Sequence, residues 1–302
     1  MRTMLQLTLT LTLLATTPAL QAKEIVADPP HACDSCTEWN LPLAPFRVYG
    51  NSWFVGTAGL GAILITSDKG HVLIDGGLPQ SAPLIAENIR AAGFKIEDIK
   101  LILNSHTHYD HAGGIAALQR ASGARVAASS ASKAALERGG PTEDDPQFAF
   151  GHEHNDYPAV KDVSPVRDGG NVTVGDLELT AHYTPGHTPG GTTWSWRSCE
   201  KGRCLDLVYA DSLNSVSAPG FKFSGTEERM GTFLNSMKVV ESLPCDLLLA
   251  PHPVLIEMDA KLAKWKAQPA VNPFIDNTAC RRYAEAARER LAKRVAEEQA
   301  AQ

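Results

Sequence analysis

At 302 residues the chain is long enough for one large domain or two modest ones. Hydrophobic residues at 43% and charged residues at 21% exclude a disordered or membrane-embedded chain and leave the balance of a globular enzyme. A net charge of −6, with no basic run beyond a scatter in the C-terminal tail, argues against a nucleic-acid surface.

Met1 to Ala22 reads as a secretory signal peptide rather than part of the fold. Arg2 supplies the positive start, Met4 to Ala15 is apolar but diluted with threonine, and Ala22 offers a small residue for cleavage. The stretch is too short and too polar to span a bilayer stably. The expected product is a periplasmic or secreted single domain over 23–302, free of the membrane. Its six cysteines fit that compartment and fall as Cys33 with Cys36, Cys199 with Cys204, and Cys245 with Cys280. Structural bridges are favoured over metal binding, because Cys199 and Cys204 have the wrong spacing for a zinc knuckle. Of the three pairs, Cys245–Cys280 is the firmest, since it would tie the segment carrying His252 to the C-terminal helix.

In chain order, Phe46 to Gly76 breaks into short β-rich runs punctuated by Gly and Asn, so it reads as a series of strands. Pro79 to Phe94 places Leu84, Ile85, Ile89 and Ala92 at helical spacing. Lys100 to Asn104 is a buried strand that delivers the chain to His106. Gly113 to Ser122 and Ala131 to Arg138 read as helices flanking the short run Ala124 to Ala128. The second half begins again with strands: Asn171 to Tyr183 around a Gly-Asp turn, then the pair Thr192 to Arg197 and Cys204 to Ala210. Helices follow at Glu227 to Glu241 and Ala279 to Ala300, with a strand Cys245 to Leu249 between them. Strands then helices, twice over, predict an α/β fold: an αββα sandwich of two mixed β-sheets flanked by helices.

The chemistry concentrates in His106-Thr-His108-Tyr-Asp110-His111, between a buried strand and a Gly-rich helix start. In extended backbone His106 and His108 project to the same side, and Asp110 and His111 follow after the chain turns. Imidazole and carboxylate are ligands that zinc takes, and four in six residues exceed what one catalytic ion needs. Two further loops end strands in a histidine: Thr184-Pro-Gly-His187 and Leu247-Leu-Leu-Ala-Pro-His252. Three strand ends converging on imidazole predict a two-metal hydrolase. His152 and His154 sit in a Gly/Asp/Pro-rich loop and read as rim or plain surface. His182 lies on a strand and reads as no ligand.

These residues resemble the metallo-β-lactamase superfamily, and within it the subclass B3 metallo-β-lactamases. The matching features are Val72-Leu-Ile-Asp75-Gly-Gly, the His-x-His-x-Asp-His run, Pro185-Gly-His187-Thr-Pro-Gly, Tyr209-Ala-Asp-Ser212-Leu, and Leu243-Pro-Cys245-Asp-Leu-Leu-Leu-Ala-Pro-His252, with the Cys245 and Cys280 pair. The likeness runs from about Trp39 to the C-terminal helix. It implies two zinc ions per chain, His106, His108 and His187 holding the first and Asp110, His111 and His252 the second. It also implies a small-molecule β-lactam as partner and antibiotic resistance as the role. Hydroxide generated at zinc would attack the lactam carbonyl, with His106, His108 and Asp110 as the catalytic set and Asp110 orienting the attack.

By the same resemblance Asp75 supports the ligands from behind, and Ser212 with Ser215 or Ser217 binds the substrate carboxylate. Trp39 would wall the groove. Phe221 stands where relatives often carry tyrosine, so a phenol donor is absent at that spot. Two other readings compete. A thioester hydrolase or lactonase of the same fold would use Asp211 to bridge both metals, and a non-catalytic zinc-binding protein would close its ligand shell. A monomer is expected.

Overall fold

The computed structural model describes residues 25–300, so the expected signal peptide lies outside the described residues. The first sheet takes β1 (Phe46–Tyr49), β2 (Ser52–Phe54), β3 (Ile63–Ile65), β4 (His71–Ile74), β5 (Ile99–Leu103), β6 (Arg125–Ala128) and β7 (Val163–Pro165) in chain order. Its pairs are antiparallel up to β4 and parallel from β4 to β7. The second sheet takes β8 (Asn171–Val174), β9 (Leu177–Tyr183), β10 (Thr192–Glu200), β11 (Arg203–Tyr209) and β12 (Leu247–Leu249) in the order β12-β11-β10-β9-β8. Only β11 and β12 pair in parallel there.

Period-two alternation divides the apolar side chains between two cores. Val72 and Ile74 of β4 and Leu101 and Leu103 of β5 cluster with Leu179, Trp194 and Leu207 of the second sheet. Leu73 and Ile102, pointing the other way, cluster with Ile85 and Ile89 of helix Ala82–Ala91 and with Ile115 and Leu118 of helix Ile115–Ser122. Each such buried aliphatic side chain contributes about 1.5–3 kcal/mol. On the outer face of the second sheet, helices Glu227–Ser242 and Ala279–Ala300 add Phe233, Met237, Tyr283 and Leu291. The expected αββα sandwich is therefore observed.

The cysteines pair locally as Cys33–Cys36, Cys199–Cys204 and Cys245–Cys280. The last joins the segment before β12 to the start of the C-terminal helix. Among the described residues no helix is long and apolar enough to cross a membrane. Several elements depart from the sequence reading. Pro79–Ser81 is a 3-10 turn that leads into a helix ending at Ala91. Helix Met258–Ala267 and strand β7 were not anticipated, the first because its apolar residues keep no clear stripe.

Candidate metal centre

The loop after β5 is fixed from below before any imidazole is placed. Asp75 follows β4 with φ 63°, a left-handed conformation that a non-glycine residue adopts only when its surroundings hold it there. Its Oδ1 accepts hydrogen bonds from Asn104 Nδ2 (3.1 Å) and the Ser105 backbone N–H (2.7 Å). Its Oδ2 accepts from Ser105 Oγ (2.6 Å) and the Tyr209 hydroxyl (2.9 Å). Asn104 Nδ2 also donates to the His106 carbonyl at 2.7 Å. The two sheets are stitched at this edge, since Trp194 Nε1 donates to Asn104 O (3.0 Å) and Thr192 N to Ser105 O (2.8 Å). Asp75 thus holds the loop that presents His106 and does not itself reach the imidazoles.

His106 and His108 leave this loop, a helical turn Tyr109–Ala112 lifts Asp110 and His111 beside them, and His187 arrives from the loop between β9 and β10. Gly186, with φ +143°, lets that loop pass against a helix; a Cβ there would lie 2.2 Å from Phe233. His106, His108 and His187 form one group in which each offers a ligand atom within 4.8 Å of the others. Every ring has its second nitrogen engaged. His106 Nδ1 lies 2.9 Å from Asp211 Oδ1, His108 Nε2 lies 3.2 Å from Asp145 Oδ1, and His187 Nδ1 donates to the Asn214 carbonyl at 2.8 Å. That leaves His106 Nε2 buried without a partner, and His108 Nδ1 and His187 Nε2 facing each other at 3.2 Å.

The second group comprises Asp110, His111 and His252, the last supplied by the loop after β12. Asp110 Oδ2 lies 3.1 Å from His111 Nε2 and 3.3 Å from His252 Nε2, and the two imidazole nitrogens are 3.1 Å apart. The groups adjoin, because the His106 and His111 rings are 4.3 Å apart. His106, Asp110 and His111 also each offer a ligand atom within 4.8 Å of the others.

Burial drives His106 well below the ordinary histidine range and His187 down to about 3, with the neighbouring imidazoles adding to the effect. Burial works on His108 in the same direction, but the Asp145 carboxylate outweighs it and leaves that ring raised. Burial would raise Asp110, yet His111 and His252 overcome it and hold the carboxyl well below its usual range. His106 and His187 held neutral, ring nitrogens converging from three histidines, an ionised carboxylate beside them, and an orphaned buried nitrogen fit a cation. A protein-only packing would leave His106 Nε2 unpaired at a cost of about 1–3 kcal/mol.

The other anticipated residues are scattered more widely. Trp39 stands at the mouth, its ring 5.3 Å from that of His252. Ser212 is fully buried with its hydroxyl unpartnered among the described residues. Ser215 and Ser217 turn to the C-terminal helix, where Ser215 donates to the Arg290 carbonyl (3.4 Å) and Ser217 accepts from Arg294 (2.9 Å). Asp211 is buried against the outer nitrogen of His106 and belongs to neither ligand group. Phe221 carries the Arg229 guanidinium over its ring at 4.2 Å. His152 is exposed and pairs with Asp156, while His154 packs edge-on to Tyr109 at 5.6 Å. His182 hydrogen-bonds Ser195 on the neighbouring strand and is no ligand.

Sequence reasoning missed Asp145, the Asn214 carbonyl and Gln147, whose amide lies 3.5 Å from His108 Nδ1. It also missed His31, stacked on Tyr109 at 4.0 Å. No local signal marks them, because loops distant in sequence bring them in.

Comparison with known proteins gives a consistent picture. A profile of the Metallo-beta-lactamase superfamily matches residues 62–199. Among solved structures, the Rm3 metallo-beta-lactamase superposes with a TM-score of 0.85 at 50% identity, over 89% of this chain and 99% of that one. MEM-A1, a subclass B3 metallo-beta-lactamase isolated from a soil metagenome library, gives 0.84 at 46% identity, over 87% of this chain and all of that one. A hydroxyacylglutathione hydrolase from Bradyrhizobium is 30% identical over 172 residues, 57% of this chain and 53% of its own. The chain thus spans about half the length of the curated hydroxyacylglutathione hydrolases it matches.

Proposed function

The chain belongs to the metallo-β-lactamase superfamily, and we propose that it hydrolyses the β-lactam amide bond of penicillins, cephalosporins and carbapenems, protecting its host from these antibiotics. One observation supports this over a thioester hydrolase or lactonase that bridges its metals through Asp211. That carboxylate sits against Nδ1 of His106, on the far side of the ring from the unpartnered Nε2, so it orients a ligand rather than joining two ions.

His106, His108 and His187 would hold one zinc ion and Asp110, His111 and His252 a second, and the metal would supply Lewis acidity and a water acidified to a pKa of about 7. The protein's own groups do the rest. Asp110, kept ionised by His111 and His252, accepts a hydrogen bond from the attacking water and sets its line of approach. Asp75 keeps the His106 loop from shifting as charge develops. Trp39, its ring 5.3 Å from that of His252, would wall the substrate groove on that side. The substrate carboxylate falls to the Ser212–Ser217 segment, where the enclosed Ser212 hydroxyl is unpartnered among the described residues and must be uncovered to reach it, while Ser217 is engaged by Arg294. The three disulfides suit a protein working in the periplasm or outside the cell.

Hydrolysis of one penicillin, one cephalosporin and one carbapenem, with and without a zinc chelator, tests the reading. Turnover that the chelator abolishes is expected. Thioester turnover without any β-lactam turnover would select the competing hydrolase instead, and zinc binding without turnover of either would select a non-catalytic zinc protein.

A further inference from the structure

We propose that Asp145 is a positioning residue for the metal centre, holding His108 by Nε2 so that Nδ1 is the nitrogen presented to the ion. The inference rests on the metal-dependent reading above, and it concerns metal affinity rather than the substrate. Asp145 lies 37 residues beyond His108 in the chain, in the segment Pro141-Thr-Glu-Asp-Asp-Pro-Gln147. Its side chain is almost fully buried, only 1% exposed, and its Oδ1 is 3.2 Å from His108 Nε2. A carboxylate enclosed this far is costly unless something requires it.

The carboxylate is itself held. The Gln147 backbone N–H donates to Oδ1 at 2.8 Å, the Asp145 N–H reaches the Thr142 carbonyl, and the Phe148 N–H reaches the Asp145 carbonyl. Asn155 clamps the next stretch by donating to the carbonyls of Gln147 and Phe148. Ala218 N–H closes on the Pro146 carbonyl, tying this loop to the segment that holds His187 through Asn214. His108 therefore meets a fixed acceptor rather than a mobile surface acid. An acceptor at Nε2 places the proton on that nitrogen, frees the lone pair of Nδ1, and stops the ring from flipping. Groups in this position are worth about 10–100-fold in metal affinity.

Cobalt(II) titration of the metal-free protein reads this directly, because the visible spectrum reports the histidine ligands one equivalent at a time. Asp145→Ala should weaken one cobalt equivalent by about 10–100-fold and leave the other unchanged. Asp145→Asn, which retains a neutral acceptor, should recover part of that loss. A second readout needs no variant that could fail to fold. In the zinc-loaded wild-type protein, the His108 Nε2 proton should exchange slowly with solvent by NMR. Wild-type affinity for both equivalents in a folded Asp145→Ala protein would overturn the proposal, as would fast exchange of that proton in the wild type. Neither measurement depends on β-lactam turnover, so failure of the proposed function would be seen separately.

Discussion

The segment from Asp211 to Gly225 is anchored at both ends by buried polar groups, and the two anchors behave differently. Near its start, Asn214 helps hold a cluster in which His106 Nε2, His111 Nδ1 and both Asp211 oxygens lack a hydrogen-bond partner among the described residues, although Asp211 lies within ion-pair distance of His106. Near its end, Glu298 of the C-terminal helix accepts from the Phe223 and Ser224 backbone N–H groups, the Ser224 hydroxyl and Arg294. Both regions are buried and polar. One is satisfied by protein alone, while the other has its donors and lone pairs arranged for something the chain does not supply. Unpaired buried polar groups are expensive, so a cluster of them marks where binding, rather than folding, is being served.

The largest expected effect follows from removing the carboxylate that lies against His111 and His252. Asp110→Ala should lower kcat/KM for a cephalosporin by about 10³–10⁴-fold while circular dichroism stays that of the wild type. Residual activity within tenfold of wild type would show that the cluster's carboxylate is as purely structural as Glu298.

A smaller effect separates the two regions by stability. Zinc binds only the folded cluster, so at a thousand times Kd it should add about 4 kcal/mol to unfolding in urea. In the metal-free protein, His106 and His187 have folded pKa values below those of the unfolded chain. The unfolded chain then takes protons first, so stability is full above about pH 6.5 and falls as pH drops toward 3. His108, raised by Asp145, works the other way and offsets part of the loss. Urea midpoints of the metal-free protein should fall between pH 7 and 5. A flat profile there would mean that the imidazoles are not enclosed.

These contrasts explain what the sequence made legible. His106, His108, Asp110 and His111 crowd one strand end, and His187 and His252 end two other apolar runs, so the side chains that the fold brings together could be read locally. The alternation that splits Val72 and Ile74 from Leu73 could be read in the same way. Asp145 could not, because in sequence it is one more acid in an Asp/Pro-rich loop, and only folding turns it toward His108. Ser215 and Ser217 show another limit: the resemblance offered either as a substrate contact, and their hydrogen bonds to Arg290 and Arg294 of the C-terminal helix could not be read from the sequence. Helix Met258–Ala267 lacked an apolar stripe because it packs through isolated residues such as Met258 and the stem of Lys261.

The smallest expected effect lies at Glu298, where the comparison is most easily broken. Four donors hold its carboxyl at about 2, burial opposing them without prevailing. The free side chain titrates near ~4.3. A folded value below the unfolded one contributes stability that is complete above about pH 4.3 and is lost as pH falls through 2. This window extends below that of the imidazoles and overlaps only its acid end, so the imidazoles begin to titrate first. Glu298→Gln should cost about 1–2 kcal/mol at neutral pH, allowing for partial solvent screening. It should also flatten the acid limb of the unfolding curve below pH 4 while leaving zinc affinity and kcat/KM unchanged. If the variant instead weakened zinc binding, the Glu298 clamp and the cluster would be one mechanical unit, linked through the loop that carries Asn214.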